Sequence, residues 1–303
     1  MDPREVELEV CEHCEVFKGT GPDDIAYHHS TVILRGADDE YFYADFPEYF
    51  EEIEDIKKLN IIRIPGEHIW PLADPKFTRA PEPLPATCYQ KRPSLLSYEG
   101  ADKDSHYIPT VILNEVEACE ILIKHPHPNV ARYLGCIIND GKIKGLGFDK
   151  YPITLDKMLK DETPFDKDRC IRGIEAGVQH MHGLGLVHND LNPANIMMDG
   201  DNPIIIDFDS CKPEGEKLLK GGTPDWSTEE WYSKRSNDHY GLSKIREAIF
   251  RGGEKGEESQ EVEEGQKGSN DEEGEENNED EDDQRGEDDQ GDEEDQRCGT
   301  KSS

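Results

Sequence analysis

The chain has 303 residues and a formal net charge of −35, with 69 acidic against 34 basic side chains. That balance excludes general nucleic-acid binding, which needs a basic surface to neutralise phosphate. No apolar run has the length a bilayer demands, and "MDPREVELEVCEHCEVF" at the N-terminus lacks the basic and apolar regions of a secretory signal. A cytoplasmic or nuclear location is therefore expected, with the eight cysteines as reduced thiols.

The charge is unevenly placed. Residues 253–303 hold 23 acidic and 5 basic residues, one valine and no aromatic residue. Such a stretch cannot bury enough apolar surface to offset its ordering entropy, so an acidic, disordered tail is expected. Its plain role is a solvated brush; the sharper one is an arm for basic partner proteins.

In chain order, "CEHC" at Cys11–Cys14 would need a second such pair to complete a tetrahedral zinc site. None follows, so two unrelated thiols are expected. "YHHS" at Tyr27–Ser30 is read as equally bland, because neighbours on a strand face opposite sides. Residues 25–46 predict two strands around a "GADDE" turn, and "FPEYFEEIEDIKKLN" carries a weak helical period. Prolines punctuate 65–93, which predicts loop or extended chain.

"TVILNEVEACEILIKH" predicts a helix with Val116, Cys119, Ile121, Leu122 and Ile123 as its apolar stripe. "NVARYLGCIINDGKIKGLGFDKY" predicts a hairpin about "NDGK". "DKDRCIRGIEAGVQHMHGLG" sets Cys170, Ile171, Ile174, Val178 and Met181 on one helical face and closes it at Gly183. Strands first and helices later predict an α+β fold of two lobes with a cleft between them.

The chemistry concentrates in "GLVHNDLNPANIMMDGDNPIIIDFDSC", Gly185–Cys211. Asp190, Asn195 and Asp207 stand at the edges of short apolar segments, an oxygen-donor pattern suited to a hard cation and phosphate. "HND" and "DFD" resemble the H-R-D and D-F-G motifs of the protein-kinase catalytic core. Further blocks follow in the same order: "EVEACEIL…HPHPNVARYLG", "GFDKYPITLDKML", "GGTPDWSTEE" with Glu230 at its end, and "SNDHYGLSKI". On these residues the chain resembles the protein-kinase-like superfamily, closest to divergent fungal kinase-like domain proteins.

The resemblance implies a bilobal protein-kinase-like fold. It divides the chain into an N-terminal extension at 1–85 (partly strands, and able to complete the small lobe), a small lobe at 86–150, a shortened large lobe at 151–252 and the tail at 253–303. It implies transfer of the ATP γ-phosphate to a protein Ser/Thr hydroxyl. Asp190 would accept the hydroxyl proton, Asn195 and Asp207 would hold Mg²⁺, and Lys91 paired with Glu117 would hold the nucleotide. Glu115 and Glu120 compete with Glu117 for that pairing. His188 and Phe208 would pack as an internal spine, and Asp238 would tie the catalytic loop from beneath.

Departures from the pattern keep other readings open. No G-x-G-x-x-G loop precedes Lys91; "DPKFTRAPEPLPATCY" stands there, and proline offers no amide to a phosphate. Asn189 replaces the arginine that would receive an activating phosphate. Asn192 replaces a lysine that contacts the transferred phosphate, and Asp209 replaces a glycine, which is expected to stiffen the turn. Nothing after Phe250 looks foldable. A pseudokinase scaffold without turnover and a small-molecule kinase are the alternatives.

Overall fold

A computed structural model of the chain describes residues 8–19, 25–52, 56–98, 106–251 and 297–299. The N-terminal part is a meander of β1 (Glu9–Lys18), β2 (Ala26–Arg35), β3 (Tyr41–Phe46) and β4 (Ile62–Ile64), each antiparallel to the next. Strand alternation divides its apolar residues between two faces. Ile33, Tyr41, Tyr43 and Ile64 join the main core of the molecule. Val32, Leu34, Phe42, Ala44 and Phe46 face the other way into a smaller cluster with Phe50, Ile56, Leu59 and Ile61.

The stretch expected to be weakly helical supplies that second cover, and its described residues form 3₁₀ turns, Phe50–Glu52 and Ile56–Lys58. Acidic residues at helical spacing repel one another there, and the apolar ones are drawn onto the sheet instead. "CEHC" lies within β1, an element the cysteine spacing did not suggest. The acidic tail falls outside the described residues, except for Arg297–Gly299, which pairs antiparallel with β1.

A second sheet has the order β5-β7-β6, from β5 (Cys88–Lys91), β6 (Tyr133–Asn139) and β7 (Lys142–Asp149). The expected "NDGK" turn is there, with Asp140 and Gly141 at φ 49° and 73°, the left-handed pair that a two-residue hairpin needs. The proline-punctuated segment is extended. Thr78 and Ala80 exchange backbone hydrogen bonds with Cys136, and Pro71 accepts from the Ile143 amide. This segment therefore lies along the outer edge of the β6–β7 hairpin, not over β5. Gly135 permits the approach: a Cβ on it would sit 2.5 Å from the Ala80 nitrogen, and its φ is +124°.

Helix α1 (Tyr107–Leu122) buries Ile108, Ile112, Glu115, Val116, Cys119 and Leu122, whereas Ile121 and Ile123 are half-buried. Below the sheet come α2 (Leu155–Lys160) and α3 (Lys167–Gly183), capped by the Thr154 and Asp166 side chains. The five apolar residues expected on one face of α3 are all buried. Gly173 and Gly177 let α3 sit directly on the strand β11 (Asn202–Ile205), since a Cβ at either would fall within 3 Å of Pro203 or Ile205 side-chain atoms.

Short strands β8 (Ile153–Thr154), β9 (Leu186–Val187), β10 (Ile196–Asp199) and β12 (Lys212–Pro213) frame the loops between the helices, and α4 (Arg235–Phe250) is the last helix among the described residues. Among the described residues no helix is long and apolar enough to cross a membrane.

Candidate active site

The site is built where β5, α1, the loop 188–195 and the end of β11 meet. Lys91, on the edge strand β5, sends its Nζ to Glu115 Oε1 at 2.6 Å and to Asp207 Oδ1 at 2.7 Å. Glu115 also accepts from the Phe208 amide at 3.2 Å. The helix partner of Lys91 is therefore Glu115; Glu117, the expected one, is exposed on the outer face of α1. A helix advances about 100° per residue, so two positions separate a buried carboxylate from one in water. Glu120 is held elsewhere, accepting from the Thr78 amide and hydroxyl at 2.6 and 3.0 Å.

Charges in this cluster shift one another. Burial pushes the Glu115 carboxyl up to about 7, more than the Lys91 ammonium can offset. Burial acts the same way on Asp207, but there Lys91 prevails and the pKa is lowered. For Lys91, burial favours the neutral amine; Asp207 and then Glu115 outweigh it, and the ammonium is held well above its ordinary range.

Asp190 lies in the loop after β9. Its Oδ1 accepts from the Thr223 amide at 2.7 Å and from Asn192 Nδ2 at 3.2 Å, and its Oδ2 accepts from Asn195 Nδ2 at 3.2 Å. Asn192 also donates to Thr223 Oγ1 at 3.1 Å, so a neutral amide ties the loop to the segment before Trp226. Asn195 donates a second bond to the Asp190 carbonyl at 2.9 Å. With its nitrogen so engaged, the amide oxygen of Asn195 is turned away from Asp190.

The loop rests on Asp238 of α4, which is fully buried. It accepts from the His188 amide at 2.9 Å and the Asn189 amide at 2.7 Å, and it contacts His182 Nε2 at 2.8 Å. His188 meets the carbonyl of Ile206 at 2.9 Å and packs edge-on to Phe208 with ring centroids 5.9 Å apart.

Two residues have parts that sequence reasoning did not give them. Asn189 is buried at φ +66° and donates through Nδ2 to Val187 O, Ser210 O and Ser233 Oγ, so it stitches the loop to the segment after Asp207. Asp209 was expected to stiffen the turn, yet the left-handed residue is Asp207, at φ +65°. Asp209 instead binds Lys220 Nζ at 2.8 Å. Nothing in the motif pattern marks Lys220; it is one lysine among several in "CKPEGEKLLKGG".

Asp207 and Asn195 offer hard oxygen donors, and no group of three His, Cys, Asp or Glu among the described residues forms a closed metal cage. That donor set fits Mg²⁺, which keeps waters and is usually held by one or two carboxylates together with substrate phosphates. A cavity of about 330 Å³ opens beside Lys91 and Glu115; Asp209, Lys220, Tyr107 and the β1 residues Cys14 and Val16 are among those that line it.

This architecture, strand-rich above and helical below with a lysine–glutamate pair facing a loop aspartate, is a protein-kinase-like α+β fold. Residues 96–243 match the model of the protein kinase domain family. The chain is 35% identical to human receptor-interacting serine/threonine-protein kinase 1 over 89 residues, covering 28% of this chain and 13% of that protein. It is 34% identical to cell division control protein 2 homolog 3 of Trypanosoma brucei brucei over 112 residues, covering 35% of each. It is 28% identical to mitogen-activated protein kinase kinase kinase ANP1 of Arabidopsis thaliana over 125 residues, 38% of this chain and 19% of that one. The chain thus spans between about an eighth and about a third of the length of these relatives.

Proposed function

We propose that the chain is an ATP- and Mg²⁺-dependent protein kinase that transfers the γ-phosphate to a serine or threonine hydroxyl. The observation carrying this is the lysine shared between Glu115 and Asp207 beside a loop that holds Asp190 and Asn195 in mutual hydrogen bonds. Phosphoryl transfer asks the protein chiefly for positioning and charge neutralisation. Lys91 would hold the inner phosphates. Asp207 and Asn195 would hold Mg²⁺, which when bound neutralises charge on the phosphate oxygens. Asp190, already an acceptor for the Thr223 amide, would orient the hydroxyl and take its proton.

On this reading, 86–150 and 151–252 are the small and large lobes, and 1–85 adds its sheet to the small lobe through Ile33, Tyr41 and Tyr43. A likeness to divergent fungal kinase-like domains is supported by the sequence blocks alone. Incubation with Mg-ATP and a mixture of protein substrates should give phosphate incorporation that vanishes in Asp190→Ala and Asp207→Ala. Equal incorporation in those variants refutes the proposal.

One observation favours a second reading, a nucleotide-binding or scaffold module without turnover. Among the described residues the outer edge of β5 is unpaired, and the segment that precedes it in sequence lies along β6 instead of covering β5. Nucleotide binding with no incorporation would select it.

A further inference from the structure

Two ammonium groups face the cavity beside Glu115, and the function proposed above uses only one of them. Lys91 is fixed, with two carboxylates on its Nζ and little exposure. Lys220 is held by a single carboxylate, Asp209 at 2.8 Å, and 35% of its side chain is open to solvent. Its backbone leads into Gly221, where a Cβ would meet nothing within 4 Å, and then into Gly222, which is packed: a Cβ there would sit 2.6 Å from Ser227 Cβ and 2.9 Å from the Asn189 carbonyl oxygen. Three residues further on, the Thr223 amide bonds Asp190 Oδ1. Lys220 thus lies on the segment that ties to Asp190, a different element from Lys91, and lines the same cavity as Lys91.

The charge balance requires a second cation. Glu115, Asp190, Asp207 and Asp209 set four carboxylates against the two lysines, and the neighbouring Asn192 is a neutral amide already bonded to Asp190 and Thr223. Mg²⁺ held by Asp207 and Asn195 would offset part of this charge, and a lysine released to the outer end of a polyphosphate would offset more. Burial pulls Lys220 towards its neutral form, but Asp209 outweighs that, with Asp207 and Asp190 adding to it, so the amine stays charged.

Resting on the kinase reading, the geometry points to Lys220 as the residue that binds the terminal phosphate of the nucleotide, with Asp209 as its resting partner. A long, flexible stem and a compact charge suit a lysine to such an exchange. On triphosphate entry Lys220 leaves Asp209 and takes a terminal phosphate oxygen; no bond is made or broken beyond the hydrogen bonds.

The test is calorimetric binding of Mg-ADP and of a non-hydrolysable Mg-ATP analogue to the full chain. Lys220→Met should weaken the triphosphate about tenfold, the value of one charge-assisted hydrogen bond, and leave the diphosphate unchanged. Lys220→Arg should restore most of the loss. Asp209→Asn should strengthen triphosphate binding by removing the competitor, and that gain should disappear in the Asp209→Asn, Lys220→Met double variant. If Lys220→Met shifts both nucleotides equally, or neither, or if Asp209→Asn weakens the triphosphate, the assignment is wrong and the pair only braces the segment. If the wild type binds neither nucleotide, the kinase reading falls and this assignment with it. Phosphate incorporation by wild type alongside an unchanged Lys220→Met removes this assignment alone.

Discussion

Replacing Glu115 by glutamine isolates the carboxyl of the site that burial raises. Burial raises its pKa from an ordinary 4.5 to about 7, so the folded chain binds a proton there that the unfolded chain has already released. For a raised carboxyl, the stabilising contribution is complete below the unfolded value and is lost as pH climbs through the folded one. Between pH 4.5 and 7, wild-type stability should therefore lose roughly 3 kcal/mol relative to Glu115→Gln, from a 2.5-unit difference at about 1.4 kcal/mol per unit. Asp207 acts in the opposite direction: its pKa is lowered, and its contribution is lost only as pH falls below the ordinary range. The assay is urea unfolding at a series of pH values for wild type, Glu115→Gln and Glu117→Gln. Glu117 is exposed and should leave the profile unchanged. Parallel curves for wild type and Glu115→Gln, or a changed slope in Glu117→Gln, would refute the burial and pairing described above.

Asp238→Ala should cost roughly 3–5 kcal/mol in urea unfolding, because the His188 and Asn189 amides lose a fully buried partner; Asp238→Asn, which keeps one acceptor oxygen, should cost less. Gly135→Ala should destabilise by about 1–3 kcal/mol through the 2.5 Å approach to Ala80. It should also make the 71–85 segment the first site of limited proteolysis. Asn189→Arg should create no phosphate-responsive switch. It should instead lower the melting temperature sharply, since a charge would enter a buried site where the side chain at φ +66° donates to three acceptors and accepts from Asn237 Nδ2.

The loop 188–195 and the strand leading to Asp207 were legible because their chemistry is local. Short spacings there fix which side chains leave a turn together, and the same holds for the "NDGK" hairpin and the apolar face of α3. Glu115 was not legible, since three glutamates within six positions of one helix differ only in which face the sheet covers. Nor was the fate of 46–60: among its described residues the weak helical period lost to a sheet face that needed covering, which no local pattern records.

From its residues alone the chain specified an α+β fold, a catalytic-loop motif and a second acidic motif at a strand end, because backbone period and motif spacing are properties of neighbours. Tertiary structure decided the rest. It chose Glu115 over Glu117 for Lys91, gave Asn189 its buried bonds, laid the proline-punctuated segment along β6, and brought Lys220 against Asp209. Each of these depends on contacts between residues far apart in the chain, where burial sets the strength of a charge and the sequence carries no record of distance.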